Sequence, residues 1–367
     1  MKISIITFHF VNNFGGILQA YALQRFVSES FDTNCEVIDY RCPFIRFTDF
    51  VRLFPVTSSF PEILSGIKTM GKRFDRLKKF KSFSEQNFTL TKTYNSYGAL
   101  KANPPVCDKY IAGSDQIWNS FLTMGVSDAY FLSFVSNIED KIAYAPSFGT
   151  EGIGEKSKKK IKEKLKTFKY LSAREAFGKD WIYEMTGRCV DLLIDPTFLL
   201  NKSDWEIVAG KRRVEGEYIL LYIMQQDMEV YEYAKQLKEK LGIKMVEISR
   251  YGYNPGFVDE TIIDVGPQDF LALFRDAAFV CTNSFHGLAY AVIFEKDFCL
   301  VPCKRFRPRI NHLLRLFNIV PPEESENWKC ITPDYDRKAV SEIVAKEREK
   351  AIKYLTSSIY GKDEENE

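Results

Sequence analysis

Short apolar runs alternate with amphipathic stretches along most of the chain. Ile3-Ser4-Ile5-Ile6-Thr7-Phe8 is close to continuously apolar, as a parallel strand buried on both faces requires. The loop His9-Phe10-Val11-Asn12-Asn13-Phe14-Gly15-Gly16 follows, and then Ile17, Leu18, Ala20, Tyr21, Leu23 and Phe26 recur at the helical period. Residues 35–40 supply a second strand. Strand, glycine-containing loop, helix and strand make the opening unit of a doubly wound domain. Residues 43–104 interrupt the alternation with Phe, Lys and Arg among irregular Pro and Ser, and read as an insertion carrying one or two helices. The series resumes with strands at 109–112 and 142–145, a basic helix at 155–168, and strands at 170–173 and 190–192.

Asp195-Pro196-Thr197 and the polar run 209–217 read as an inter-domain connection. A second series begins with a strand at 218–223, a helix at 227–241 and a strand at 244–248. A helix at 267–275, a strand at 278–282, a helix at 287–294 and a strand at 298–301 complete it. The pattern predicts an α/β protein of two doubly wound, Rossmann-like domains facing a cleft. The first spans 1–205 with its insertion at about 43–104, and the second spans 206–335. Residues 336–367 hold a last helix that packs back on the first domain, and an acidic tail, Asp363-Glu364-Glu365. This organisation resembles the GT-B glycosyltransferase architecture. Ligands in such folds gather at the carboxyl ends of strands and at domain interfaces.

Composition narrows the partners. With 367 residues and 45% hydrophobic content, two domains of ordinary size can each bury a core. A net charge of +2 gives no global attraction to nucleic acid, and no nucleic-acid motif accompanies the local basic runs. The eight cysteines form no Cys-x-x-Cys and no zinc spacing, so they read as reduced core thiols, with no metal expected. The apolar first residues lack a small-residue cleavage site and read as a strand rather than a signal peptide. No apolar run approaches the ~20 residues of a membrane span. The expected location is the cytoplasm.

One basic run bears on that location. Seven cations, Lys68, Lys72, Arg73, Arg76, Lys78, Lys79 and Lys81, stand against Asp75, with Phe74, Phe80 and Phe83 interleaved. This composition suits peripheral contact with an anionic membrane surface, at its inner face, or with a lipid diphosphate. A solvated helix with one buried face is the plainer reading. The Lys-rich run at 156–169 reads as a solvated helix face.

Five loops place chemistry at predicted strand ends. The segment holding Asn13, Gly15 and Gly16 precedes a helix N-terminus, whose N–H groups can hold an anion, although it is neither a P-loop nor a dinucleotide fingerprint. A tight βα turn is the alternative. In Gly113-Ser114-Asp115-Gln116-Ile117-Trp118-Asn119, the groups of Ser114, Asp115, Gln116 and Asn119 suit sugar hydroxyls and Trp118 a stacking face. Ser114 or Asp115 could instead cap a helix. Leu171-Ser172-Ala173-Arg174-Glu175 sets Arg174 where it can fork onto a phosphate or carboxylate, or pair with Glu175. Cys281-Thr282-Asn283-Ser284-Phe285-His286-Gly287 puts His286, one of three histidines, at a βα junction with Asn283 and Ser284. An imidazole there can exchange a proton near neutral pH. Lys304-Arg305-Phe306-Arg307-Pro308-Arg309 reads as an anion clamp formed by Arg305, Arg307 and Arg309, or as a solvated basic run. His9 also stands at a strand end, whereas His312 lies inside a helix.

Together, in order and spacing, several of these segments resemble the polysaccharide pyruvyl transferase family over nearly the whole chain. They are Thr7-Phe8-His9, Asn13-Phe14-Gly15-Gly16-Ile17-Leu18-Gln19-Ala20-Tyr21-Ala22-Leu23, Gly113-Ser114-Asp115-Gln116-Ile117-Trp118-Asn119, Ser172-Ala173-Arg174-Glu175, Asp195-Pro196-Thr197 and Asn283-Ser284-Phe285-His286-Gly287. The resemblance implies a GT-B-like transferase with phosphoenolpyruvate as donor, no cofactor, and a sugar acceptor on a polysaccharide or lipid-linked glycan precursor. Many members carry Arg-Leu-His-Gly where this chain has Ser284-Phe285-His286-Gly287. The family's His therefore carries over to His286, and its Arg does not. The missing contact is expected from Arg305, Arg307 or Arg309, and the family's other Arg carries over to Arg174. In the implied ketal-forming reaction His286 is the acid and Asp115 accepts a hydroxyl proton. Arg174 neutralises the donor, with substrate contacts from His9, Asn13, Gly15, Gly16, Ser114, Gln116, Trp118 and Asn119. The alternatives are a nucleotide-sugar glycosyltransferase, with Asp264 or Asp269 on the ribose, and an inactive glycan-binding member.

Overall fold

The computed structural model describes residues 1–51, 68–149, 152–224, 228–252, 254–301, 307–319 and 335–361. The chain begins β1 (Lys2–Ile6), α1 (Phe14–Phe31), β2 (Asn34–Val37), α2 (Pro43–Val51), α3 (Met70–Asn87) and α4 (Tyr97–Ala102). Next come β3 (Lys109–Ala112), β4 (Lys141–Ala143), α5 (Glu155–Leu165), β5 (Ser172–Ala173), α6 (Ala176–Thr186) and β6 (Asp191–Leu192). The later elements are α7 (Lys202–Val208), β7 (Tyr218–Tyr222), α8 (Met228–Leu241), β8 (Lys244–Ile248), β9 (Glu260–Ile262) and α9 (Pro267–Asp276). β10 (Phe279–Thr282), α10 (Phe285–Ile293), β11 (Asp297–Leu300), α11 (Arg307–Leu316) and α12 (Arg337–Tyr360) complete the order.

The chain divides into two units. Unit 1 comprises Met1–Asp49, Ser84–Leu200 and Ile343–Glu367, and unit 2 comprises Phe50–Phe83 and Asn201–Glu342. In unit 1 the sheet runs β2-β1-β3-β4, all parallel, and β5 and β6 form a separate parallel pair. Ile3, Ile5, Ile6, Ile111 and Ile142 are fully buried, which explains why these strands read as apolar runs rather than alternating ones. α1 starts at Asn13, whose side chain accepts from Gly16 N, and ends at Asp32 in the left-handed region. Unit 2 holds a five-stranded parallel sheet, β11-β10-β7-β8-β9, around a core that includes Ile219, Leu221, Tyr231, Met245 and Cys281. Both units are therefore open parallel α/β bodies, in which polar chemistry collects at the carboxyl ends of the strands.

The segment expected as a single insertion at 43–104 is shared between the units, with 50–83 belonging to unit 2. The cause is the buried face of α3, which carries Arg73, Arg76, Phe80 and Phe83. Beside that face, Lys79 Nζ donates to Asp264 O (2.7 Å), Asp264 Oδ2 (3.0 Å) and Asp269 Oδ2 (2.9 Å). Gly266 lets the Lys79 stem lie on the backbone, because a β-carbon there would sit 2.5 Å from Lys79 Cβ. Three of the seven cations at 68–81 thus turn into unit 2, and Lys68, Lys72, Lys78 and Lys81 stay exposed. On α5, only Ile161 and Leu165 are buried, so its lysines lie along the outer face.

The cysteine expectation holds only in part. Cys35, Cys42 and Cys281 are buried thiols, but Cys107 is half-buried, Cys189 is exposed, and Cys299 on β11 is disulfide-bonded. An apolar strand context fits a half-cystine as well as a thiol. Among the described residues, no helix is long and apolar enough to cross a membrane.

A buried carboxyl in unit 2 gives the fold a pH signature. Glu247 on β8 is 4% exposed; its Oε1 accepts from Tyr231 OH at 2.6 Å, while Oε2 has no hydrogen-bond partner among the described residues. Burial pushes its pKa from 4.5 up to about 7, against the smaller downward pull of Tyr231. An acid that binds its proton more tightly when folded loses stability as pH rises between those two values. The penalty above pH 7 is on the order of 3 kcal/mol. Glu247→Gln is expected to match the parent in thermal melts near pH 4.5 and to exceed it by about that amount at pH 8; equal melts at both pH values refute the assignment.

Candidate functional site

In unit 1 the loops after β3, β4, β5 and β6 meet around one buried guanidinium. Arg174 follows β5 and is 3% exposed. Its Nε donates to Glu175 Oε1 (2.9 Å) and its Nη1 to Asp195 Oδ2 (2.6 Å). Burial alone would lower the Arg174 pKa, but the charges of Glu175, Asp195 and Asp115 outweigh it and raise it. Asp195 Oδ1 accepts from Thr197 N and Thr197 Oγ1, which closes the Asp195-Pro196-Thr197 turn. Ser114 Oγ donates to Ala145 O (2.8 Å) and lies 3.5 Å from Asp195 Oδ2. Of the two readings of Arg174, the geometry shows the pairing with Glu175. Its charge is engaged by two buried carboxylates, and it orders the loops around it.

Asp115 sits at the exit of β3 with φ 65, and Ala145 at the exit of β4 with φ 46. Two non-glycine residues in the left-handed region on adjacent strand ends are a costly arrangement of the kind found at functional sites. A β-carbon built on Gly16 would meet Asp115 Oδ2 at 3.5 Å and Val11 Cγ2 at 2.9 Å. The Asp115 carboxylate thus lies over the first turn of α1, where helix N–H groups favour negative charge. It takes up much of the room in which Gly15 and Gly16 were expected to hold a substrate anion, and Asn13 is the cap of that helix. Asn119 Nδ2 donates to Gln116 Oε1 (3.0 Å), and both pack on Gly149, where φ is 78.

Two further expectations change. Trp118 is 2% exposed, stacks on Phe131 at 4.9 Å, touches Phe148 and Phe168, and donates its indole N–H to Tyr130 O. It is a core residue and presents no face to a sugar. His9 is 1% exposed; Nδ1 faces Thr7 O (3.2 Å) and Nε2 faces Asp39 Oδ1 (3.1 Å). Both ring nitrogens have protein partners, so His9 holds β1 to the end of β2 instead of reaching a substrate. Burial would raise the Asp39 pKa, but His9, Arg41 and Thr93 hold it well below the usual carboxylate range.

In unit 2 the strand end is organised by Thr282. Its Oγ1 donates to Tyr222 O (2.6 Å) and accepts from Ser284 N (3.1 Å), tying β7 to the β10–α10 turn. A β-carbon on Gly287 would lie 2.2 Å from Thr282 Oγ1, so glycine is what lets the first turn of α10 settle on that hydroxyl. Asn283 Oδ1 accepts from Met224 N (2.8 Å). His286 stands on the first turn of α10, 9% exposed, edge-on to Phe285. The Ser284 side chain does not cap α10. α11 packs against α10, with Arg309 on its buried face and Arg307 part-exposed at its start; Arg305 lies outside the described residues. The structure thus brings Asn283, Ser284 and His286 together in unit 2, and Gly16, Ser114, Asp115 and Arg174 in unit 1. Sequence reasoning gave no role to Thr282 or Tyr222, and saw Asp195 only in the inter-domain connection and among the segments of the family resemblance. Among the described residues no group of three or more His, Cys, Asp or Glu is placed to hold a metal ion.

Two substitutions test this reading of the turns. Arg174→Met leaves Glu175 and Asp195 as uncompensated buried charges and is expected to cost about 3–5 kcal/mol in chemical denaturation. Unchanged stability with weakened anion binding would return Arg174 to a ligand role. Gly287→Ala is expected to cost about 1–3 kcal/mol, because the turn must lift off Thr282; a parent-like melting curve would refute the close contact.

No curated protein matches the chain. The fold is similar to a Methanocaldococcus jannaschii UDP-GlcNAc 2-epimerase in complex with UDP-GlcNAc and UDP (14% identity, TM-score 0.42, covering 94% of this chain and 99% of that one). It is also similar to Arabidopsis thaliana UGT89C1 (12%, 0.44, 98% and 96%) and Acinetobacter baumannii MurG (8%, 0.41, 98% and 99%). A family model for polysaccharide pyruvyl transferases matches residues 13–305, a span that takes in the Asp115, Arg174 and His286 loops. The chain belongs to the polysaccharide pyruvyl transferase family and is a transferase.

Proposed function

We propose that the protein transfers the pyruvyl group of phosphoenolpyruvate onto two hydroxyls of a sugar, forming a ketal on a polysaccharide or lipid-linked glycan precursor. The observation that carries this reading is the family match across a chain whose His286 stands on the first turn of a helix at a parallel-sheet edge. The reaction needs a proton on the enol carbon C3, and His286 supplies it as general acid. A first sugar hydroxyl then bonds to C2, giving up its proton to a carboxylate, for which Asp115 is the candidate. The C2–O bond to phosphate breaks as the second hydroxyl bonds to C2, and phosphate leaves with that proton. The sugar role of unit 1 is supported by its charge: Asp115, Glu175 and Asp195 gather around the single guanidinium of Arg174 at the strand ends, which suits hydroxyl donors better than an anion.

No cofactor enters this scheme. Phosphoenolpyruvate is a cytoplasmic metabolite, so the proposed location is the cytoplasm. A lipid-linked acceptor would bring Lys68, Lys72, Lys78 and Lys81 to an anionic membrane surface.

The test is phosphate release from phosphoenolpyruvate with a panel of sugars and lipid-linked oligosaccharides, read together with acceptor mass. The expected result is phosphate release matched by an acceptor gain of one pyruvate less one water. His286→Gln is expected to melt like the parent and to lose about 10²–10⁴-fold in turnover. Near-normal transfer by that variant removes His286 from the chemistry. Transfer from a nucleotide sugar with phosphoenolpyruvate untouched replaces the reaction by glycosyl transfer. Sugar binding without phosphate release from any acceptor leaves a glycan-binding protein.

A further inference from the structure

α6 carries two large aromatic side chains beside its buried stripe, which is formed by Gly178, Ile182 and Met185. Phe177 and Trp181, four residues apart and so on one face, lie along the flank of that stripe and are half-buried. Their rings meet edge to face, with centroids 5.6 Å apart and planes at 74°. Trp181 also stands edge-on to Phe148 at 5.4 Å. Phe148 in turn packs on Trp118 at 5.4 Å, inside the core. The aromatic chain therefore runs from the buried Trp118 outward to two rings that keep part of their surface in water.

The loop after β4 ties this pair to polar groups at the strand ends. Ala173 ends β5 and α6 begins three residues later, so Phe177 stands in its first turn, beside the β5 exit. A β-carbon on Gly178 would meet Phe148 Cδ2 at 3.4 Å and Ala173 Cβ at 3.6 Å, which seats that turn on the β4 loop. The next residue of the loop, Gly149, has φ 78, and a β-carbon there would lie 2.3 Å from Gln116 Oε1 and 2.4 Å from Asn119 Nδ2. Adjacent residues, Phe148 and Gly149, thus support the rings and the amides respectively. Asn119 Nδ2 donates to Gln116 Oε1 (3.0 Å), and Asn119 Oδ1 accepts from Phe121 N (3.0 Å). Those bonds hold the half-buried Gln116 amide in one orientation, with its Nε2 donors outside them.

Rings fixed by one another, and an amide fixed by its neighbour, bind a ligand without first being ordered. The chemistry of the groups selects that ligand. A pyranose has a face of C–H groups that lies on an aromatic ring, and hydroxyls around its rim that bond to amides. At the turn where α6 starts, the carboxylates of Glu175 and Asp195 outnumber the Arg174 guanidinium they enclose, which disfavours an anionic ligand.

We propose that Phe177 and Trp181 are the stacking face, and the Gln116 amide the hydrogen-bonding rim, of a subsite in unit 1 for a neutral sugar ring. The pair takes the stacking role expected of Trp118, which lies in the core. Naming that sugar as the pyruvyl acceptor rests on the pyruvyl-transfer reading; the existence of the subsite does not.

The experiment is calorimetric titration of the full chain with the methyl glycosides of glucose, galactose, mannose and N-acetylglucosamine, and with sorbitol, which has hydroxyls but no ring. At least one glycoside is expected to bind, and sorbitol is not. Phe177→Leu keeps apolar bulk and removes the ring. It is expected to melt like the parent and to weaken glycoside binding about three- to tenfold, while Phe177→Tyr retains it. The bound glycoside is expected to shift the tryptophan emission of the parent and to leave that of Trp181→Phe unchanged. If Phe177→Leu fails to fold, that emission difference decides the matter. Parent-like affinity in a folded Phe177→Leu, sorbitol bound as tightly as the glycosides, or a parent that binds none of them overturns the subsite. Ring-dependent glycoside binding without pyruvyl transfer to any acceptor keeps the subsite and discards the proposed reaction. Pyruvyl transfer with an acceptor KM unchanged in Phe177→Leu does the reverse.

Discussion

Arg174 is held out of water between Glu175 and Asp195, and the polar end of unit 1 depends on that arrangement. Its sheet buries both faces, so β1, β3 and β4 contribute mainly apolar side chains along their length, and polar groups collect where the strands stop. There the backbone must be satisfied without regular pairing. Asp195 serves this end by closing its own turn through Thr197 and lying beside Ser114, which in turn bonds Ala145 O. Neither carboxylate could stay buried without the guanidinium, because an uncompensated charge in that setting is more costly than any single hydrogen bond the loops make.

Unit 2 solves the same problem with a neutral group. Thr282 Oγ1 bridges the end of β7 and the start of the His286 turn, and the absent side chain of Gly287 makes room for it. The two edges consequently differ in charge. At the unit 1 edge Glu175 and Asp195 hold the Arg174 guanidinium, whereas at the unit 2 edge the Thr282 hydroxyl and the Asn283 amide close the turn.

Much of this was legible in the sequence because parallel strands buried on both faces leave a simple trace. Ile3-Ser4-Ile5-Ile6, the run at 218–222 and the strand before Asn283 all stand where apolar runs predicted them. The turn from Thr282 to Gly287 was legible as well, since a strand ending in small polar residues, His and Gly has few other readings. β9 was missed because three edge residues carry no periodicity. α6 was missed although Phe177, Trp181, Ile182 and Met185 recur along it, and α7 because seven residues give too short a run to show a period. The insertion was recognised as an interruption, but nothing local tells a helix which unit its buried face will join.

Local sequence was enough to establish two parallel α/β series and the junctions at which polar residues gather, because periodicity and glycine placement are written residue by residue. Packing alone assigned each polar residue its task. Trp118 entered the core, His9 paired with Asp39, and Arg174 was absorbed by carboxylates, since burial and charge balance depend on neighbours distant in the chain as well as adjacent ones. Arg76 turned inward for the same reason. Its guanidinium reads as one more surface cation in a basic helix until packing buries the face that carries it.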